Sequence, residues 1–347
     1  MNYVNWIIPI ILILILGCYY FGKKLQGLFH WKKDSSKKIY WILIIILISS
    51  IFLFRSVLIG FVLYFILFHA LLDVMKLLLQ IRKKDFKILQ SKTTNIIIIG
   101  CCILITIYGY YNINHPIIKE YQITIEKRID GKFIIGMISD LHLGINHQEE
   151  LLTQIVEHAN SLQADIFVFG GDIFDEYTKE ELKKNAIQKF GTIKTKYGIF
   201  YIEGNHDLLT EETRNILNQN NIQALEDQSI EINHQINIIG RKDYRNNSLK
   251  NPRKKLEDFM KEINNSLPII LLDHQPMDQK LASSLPIDLQ LSGHTHAGQI
   301  FPVNFILQHG YKKQNNYHII VSSGYGVWGY PIRTAGRSEM IKVTLSN

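Results

Sequence analysis

LSGHTHAGQI, residues 291–300, carries an apolar run into two histidines one residue apart, fenced by Gly293 and Gly298. A lone histidine at such a place is more often a turn residue than a ligand, so the rest of the chain decides what the pair does. Four other apolar runs end in a similar way. FIIGMIS (133–139) leads into Asp140, Leu141 and His142, and DIFVFGG (165–171) into Asp172, Ile173, Phe174 and Asp175. GIFYIEG (198–204) leads into Asn205, His206 and Asp207, and PIILLD (268–273) into His274. All are continuous and rich in Ile and Val, as strands covered on both faces are. Five strands thus deliver carboxylate, carboxamide or imidazole groups at their C-terminal ends, the edge where α/β sheets place ligands.

Further strand candidates are YQITIE (121–126), QINIIG (235–240), YHIIVSSG (317–324) and MIKVTL (340–345). Between the strands lie helical stripes: Leu151, Leu152, Ile155, Val156 and Ala159 form one, and Leu256, Phe259, Met260 and Ile263 another. Strands alternating with helices predict an α/β layered domain. The last strands have no helices between them, which points to mixed or paired sheets.

Residues i and i+2 of an extended chain point the same way. Asp140 with His142 can therefore converge on one ion, and His294 with His296 can face one cluster. Singly, Asp140 reads as a helix cap and Gly170, Gly171, Gly204 and Gly293 as turn formers; five such ends in order read as a metal site. The donors are oxygen and nitrogen without sulfur, which suits Mn, Fe or Zn better than Ca or Mg. Seven candidate ligands exceed one tetrahedral ion and indicate two, roughly 3.5–4 Å apart.

The motifs DLH, GDIFD, GNHD, HQP and GHTH resemble the five-motif signature of the calcineurin-like metallophosphoesterases, and SDLHLG and SGHTHAGQ are most similar to its bacterial membrane-linked branch. The resemblance covers about residues 121–345. It implies an α/β fold in the form of a four-layer α/β/β/α sandwich. It further implies that Asp140, His142 and His296 bind one metal, that Asp172 bridges, and that Asn205, His274 and His294 complete the second. His206 would be the general acid, oriented by Asp175. Ala297 stands where a glycine is common in that branch, and Ser338 where a proline often precedes Glu339. The chemistry agrees: two cations activate a bridging hydroxide for in-line attack, and a histidine protonates the leaving oxygen. Asp207 and Asp273 adjoin ligands and read as supports or solvated groups.

The first third is different. Four apolar stretches, near 4–22, 39–54, 56–79 and 95–112, read as transmembrane helices. One helix over 39–79 would be about 60 Å long, roughly twice the hydrocarbon core. The first stretch lacks the basic start and small-residue cleavage pattern of a signal peptide. Lys23, Lys24, Lys32, Lys33, Lys37 and Lys38 lie between the first two stretches, and Arg82, Lys83, Lys84, Lys87 and Lys92 between the last two. Basic short loops stay inside, so the expectation is an integral protein of the bacterial cytoplasmic membrane. Residues 1–118 form its membrane region and 119–347 an extracytoplasmic catalytic domain.

The net charge of +7 is not a nucleic-acid footprint. Residues 1–118 hold 13 Lys and Arg against 3 Asp and Glu, leaving 25 against 28 for residues 119–347. Cys18, Cys101 and Cys102 all fall in apolar stretches, so the catalytic region has no thiol nucleophile or thiolate site. The expected partners are the membrane and a phosphorylated small-molecule or lipid substrate, cleaved at a phosphodiester or phosphoanhydride. The alternatives are a UDP-diacylglucosamine-type pyrophosphatase of lipid precursors, or a non-catalytic metal-binding receptor or scaffold. FPVNFILQHGYKKQNNYH (301–318) reads as a lid, an apolar lip facing the membrane, or a strand pair. Arg333, in GYGVWGYPIR (324–333), is a candidate phosphate contact or a solvated arginine.

Overall fold

Ile- and Val-rich runs become strands here because β-branched side chains pack well on a pleated surface. The computed structural model describes residues 57–83, 91–144, 149–207, 209–246 and 252–347, together with positions 16, 17, 19–25, 41, 42 and 46. The expected spans 4–22 and 39–54, and Lys32, Lys33, Lys37, Lys38, Lys84 and Lys87, lie wholly or mostly outside the described residues. The chain divides into two compact units: Met1–Tyr111 with Gly329–Thr334, and Asn112–Trp328 with Ala335–Asn347.

In the first unit, α1 (Leu58–Ile81) and α2 (Lys92–Asn114) are each long and apolar enough to cross a membrane. They occupy the expected stretches 56–79 and 95–112. Leu63, Leu71, Leu77 and Leu78 of α1 and Ile96, Leu104 and Ile107 of α2 stay exposed, as suits helices whose solvent is lipid. The polar groups between the apolar rings are paired. Asp73 accepts from the Tyr20 hydroxyl at 2.6 Å and from Lys24 Nζ at 2.7 Å, and His69 stacks on Phe65 at 4.1 Å. Gly60 and Gly109 leave space for Ile332, and the Arg333 N–H donates to the Gly109 carbonyl at 3.0 Å. Arg333 is therefore a buried residue of this unit (1% exposed), not a solvated one.

The second unit holds two mixed six-stranded sheets. The first contains β1 (Ile117–Thr124), β2 (Phe133–Ile138), β3 (Ile166–Phe169), β4 (Ile199–Tyr201), β5 (Ile222–Ala224) and β12 (Glu339–Ser346), in the order β1-β12-β2-β3-β4-β5. The second contains β6 (Gln228–Ile232), β7 (Ile236–Gly240), β8 (Ile269–Leu272), β9 (Leu289–Ser292), β10 (Gly310–Gln314) and β11 (Tyr317–Val321), in the order β10-β11-β9-β8-β7-β6. One apolar cluster joins both sheets through Ile135, Val168 and Phe200 on one side and Ile238, Ile270 and Leu291 on the other. A second packs the first sheet against α3 (Glu149–Ser161), α4 (Glu180–Phe190) and α5 (Glu211–Gln219) through Ile155, Ile187, Phe169 and Leu217. A third packs the second sheet against α6 (Leu256–Phe259) and α7 (Gln279–Ala282). Burying each such aliphatic side chain contributes roughly 1.5–3 kcal/mol.

Strand register fixes where the motif loops begin. β2, β3 and β4 run parallel with Ile138, Phe169 and Tyr201 abreast, and β8 and β9 run parallel with Leu272 opposite Leu291. The chain therefore leaves all five motif strands at carboxyl ends aligned within each sheet.

Candidate metal centre

The loops beyond those strands stay paired. Asp140 N–H donates to the Gly171 carbonyl at 2.9 Å, and His142 N–H to the Asp172 carbonyl at 3.0 Å. Gly171, at φ +90°, is a position where any Cβ would lie 2.5 Å from His274 Nδ1. Gly293 lets its loop pass close enough that a Cβ would meet Asp140 Oδ2 at 2.4 Å.

The candidate side chains come together, but not through β alternation. Asp140, His142, Asp172, His294 and His296 all have positive φ, between 49° and 72°. Left-handed backbone costs a non-glycine residue of order 1–3 kcal/mol and is found where surrounding structure enforces it, above all at functional sites. Ala297, at φ +51°, shows why a glycine suits that position.

Two groups result. Asp140, His142 and His296 bring their donor atoms within 4.8 Å of one another, and so do Asp172, His274 and His294. Within the first, His142 Nε2 lies 3.1 Å from His296 Nε2, and His296 Nε2 lies 3.5 Å from Asp140 Oδ1. Asp172 stands between the groups: its Oδ2 is 3.1 Å from His274 Nε2 and 3.8 Å from His142 Nε2. Asp140 Oδ2 and Asn205 Oδ1 are buried without a hydrogen-bond partner among the described residues. A buried polar atom left unpaired is costly, and carboxylate, carboxamide and imidazole are the donors that a divalent ion accepts. The residues fit divalent metal ions.

Neighbouring groups aim the donors. His274 Nδ1–H donates to the Gly170 carbonyl at 2.8 Å, which turns Nε2 inward. Asp140 Oδ1 accepts the His294 N–H at 2.8 Å, and Asp172 Oδ1 the His206 N–H at 2.7 Å. Asp207 takes the N–H groups of Asp172, Phe174 and Gly204 at 2.8–2.9 Å, tying the second and third motif loops together. Burial and the nearby Asp172 carboxylate push Asp207 up to about 7, against the pull of those donors. Asp273 is gripped by Arg253 at 2.5 Å and Arg241 at 3.4 Å; burial raises it to about 6, opposed by the two guanidiniums. Both aspartates support the loops.

The expected Asp175–His206 pairing is replaced by another. Asp175 Oδ1 lies 2.7 Å from His142 Nδ1, so it turns a histidine of the Asp140 group. The carboxylate that meets His206 Nδ1 is Glu176, at 3.2 Å through both oxygens. Arg245 holds Glu176 Oε1 at 2.9 Å and also donates to the Asn205 carbonyl. Arg245 precedes a segment with no motif, so the sequence offered no signal for it; Glu176 was overlooked because it adjoins the motif aspartate. Trp328 completes the surroundings, its ring 6.2 Å from that of His206. Tyr325 is buried, with its hydroxyl 3.2 Å from His158 Nδ1, away from the ligands.

Residues 133–298 match the family model described as calcineurin-like phosphoesterase. A metallophosphoesterase of Helicobacter pylori is 31% identical over 97% of this chain and 97% of its own. One from Campylobacter jejuni is 31% identical over 79% of this chain and 76% of its own. A transmembrane protein with a metallophosphoesterase domain from Danio rerio is 30% identical, covering 70% of this chain and 60% of that protein. With the ligand groups at the strand ends and a relative matched over nearly its full length, this chain belongs to the calcineurin-like metallophosphoesterase family.

Proposed function

We propose that the chain is a membrane-anchored phosphoesterase that uses two divalent transition-metal ions to hydrolyse a phosphodiester or phosphoanhydride in a lipid-linked or cell-envelope substrate. The observation that carries this reading is the pair of candidate ligand groups formed from loops after strands of both sheets, with His206 beside them. Asp140, His142 and His296 would hold one ion, and Asn205, His274 and His294 the other, with Asp172 reaching both. When bound, such ions make water a nucleophile at neutral pH and offset charge on phosphoryl oxygens. The chain's own residues orient and protonate: Asp175 turns His142, the Gly170 carbonyl turns His274, and His206 gives its proton to the leaving oxygen. The absence of cysteine from residues 119–347 leaves no thiol nucleophile to compete with this route. The three apolar clusters support a four-layer α/β/β/α stacking.

Full-length protein in detergent should hydrolyse bis-p-nitrophenyl phosphate when given Mn, and inertness with Mn, Fe and Zn alike would overturn the reading. His294→Ala and His296→Ala should each lose one ion per chain by elemental analysis, from different groups; loss of both ions from either variant would argue for one shared site. The complete ligand set argues against a non-catalytic scaffold. A pyrophosphatase of nucleotide-activated lipid precursors would work where those are made, in the cytoplasm, whereas the positive-inside reading of the basic loops favours a catalytic unit outside. A periplasm-only reporter fused at Asn347 should be active, and a silent, stably expressed fusion would reverse the orientation.

A further inference from the structure

Directly after the second histidine the chain forms an irregular lip, FPVNFIL (301–307), with a short 3-10 turn at Val303–Phe305. Its apolar side chains face outward. Phe305 is 75% and Ile306 81% exposed, with Phe301, Val303 and Leu307 exposed beside them. Side chains of this size are unfavourable in water, and a contiguous run of them marks a surface that meets something apolar. The lip is held in place. Gly298, at φ +69°, approaches it so closely that a Cβ would fall 2.8 Å from the Asn304 nitrogen, and the Phe301 and Phe305 rings meet edge-on at 5.5 Å. Gly298 is two residues from His296, so the lip borders the metal centre.

Two features say what covers it. The Gln299 side chain accepts the Trp328 N–H at 2.9 Å and donates to the Trp328 carbonyl at 3.3 Å, while the Gln299 carbonyl accepts the Ala335 N–H at 3.1 Å. Trp328 and Ala335 flank Gly329–Thr334, the segment that packs with the membrane-type helices α1 and α2. The base of the lip is thus bonded to both residues that flank that segment in sequence. The composition also fits one occupant: exposed Trp328 and Tyr311 are aromatic groups suited to a membrane–water interface, and exposed Lys312 and Lys313 complement anionic headgroups.

We propose that Phe301–Leu307 seats in the headgroup–acyl boundary of the bilayer that the protein's own helices cross, and that it delivers a lipid-borne phosphoester to the adjoining metal centre. The second half rests on the proposed phosphoesterase function; the first does not. The test is photo-crosslinking of the full-length chain in vesicles of phosphatidylethanolamine and phosphatidylglycerol. p-Benzoylphenylalanine replaces Phe305 or Ile306 in turn, with exposed Lys261 as the aqueous control position and Leu78 of α1 as the lipid control. Lipid adducts at 305 and 306 should exceed those at 261 by about tenfold, equivalent to ~1.4 kcal/mol of preference. Adducts at the level of 261 while 78 is labelled would overturn the proposal, as would adducts made only to a second copy of the chain. Because the readout is an adduct and not turnover, an inactive but lipid-labelled protein would sink the enzymatic reading alone.

Discussion

Asp172→Asn should lower kcat/KM for phosphodiester hydrolysis by about 10³-fold, because a bound ion supplies several kcal/mol of transition-state stabilisation at about 1.36 kcal/mol per tenfold. It should also remove most of the rise in melting temperature that Mn gives the parent. Asp172 is singled out by position: Oδ2 faces His274 and His142 from the two ligand groups, while Oδ1 fixes the His206 backbone. Asparagine keeps the shape and can still accept that N–H, but it puts a neutral amide where both groups need a carboxylate. Ion-linked stabilisation is about 2.7 kcal/mol at a hundredfold excess over Kd, so its loss is readable by thermal melting with and without Mn. In the metal-free protein, burial opposes the Asp172 charge, but His274, His142 and the His206 N–H outweigh it and hold the carboxyl well below its usual range. A depressed carboxyl contributes stability above the ordinary carboxylate pKa and loses it as pH falls through the folded value. Metal-free parent and variant should therefore differ more at neutral pH than in acid. A variant that kept the full Mn-induced shift would remove Asp172 from the centre.

The fold was legible wherever the chain buries a strand on both faces, since FIIGMIS, DIFVFGG and PIILLD are unbroken apolar runs. β5 (IQA) and β6 (QSIEI) were not foreseen, and β10 (GYKKQ) only as the strand-pair reading of residues 301–318. β5 is only three residues long, and the other two are polar edge strands, which carry half the apolar signal of a central one. The convergence was legible: six of the side chains that the motif ends supplied come together in two groups. The manner of assembly was not. Alternation assumes extended backbone, and Asp140, His142, His294 and His296 all turn left-handed instead, a conformation that no pattern of residue types announces for aspartate or histidine. The partner of His206 was misread for a related reason. Sequence spacing cannot tell which of two adjacent carboxylates a turn presents, and here the turn after β3 gives Asp175 to His142 and Glu176 to His206.

That exchange of partners makes the acid testable apart from the metals. His206→Ala should slow hydrolysis of an alkyl phosphodiester by about 10²–10⁴-fold, the usual worth of a positioned proton donor. It should cost far less with bis-p-nitrophenyl phosphate, whose leaving group departs readily without a proton. Metal content should stay at the parent's level, because the proposed donors of the two ions do not include His206, whose ring lies 5.4 Å from that of His142. Glu176→Gln should reproduce the same dependence on leaving group in weaker form, within the roughly 10–100-fold that loss of an orienting partner costs, since Glu176 holds the ring with Arg245 behind it. Asp175→Asn should behave differently: its bond is to His142, so it should lower ion affinity and slow both substrates alike. Parallel rates on the two substrates with elemental analysis separate these outcomes. Equal losses on both substrates for His206→Ala would remove it from proton transfer to the leaving group, and a leaving-group dependence in Asp175→Asn but not Glu176→Gln would restore the pairing that the motif alone suggested.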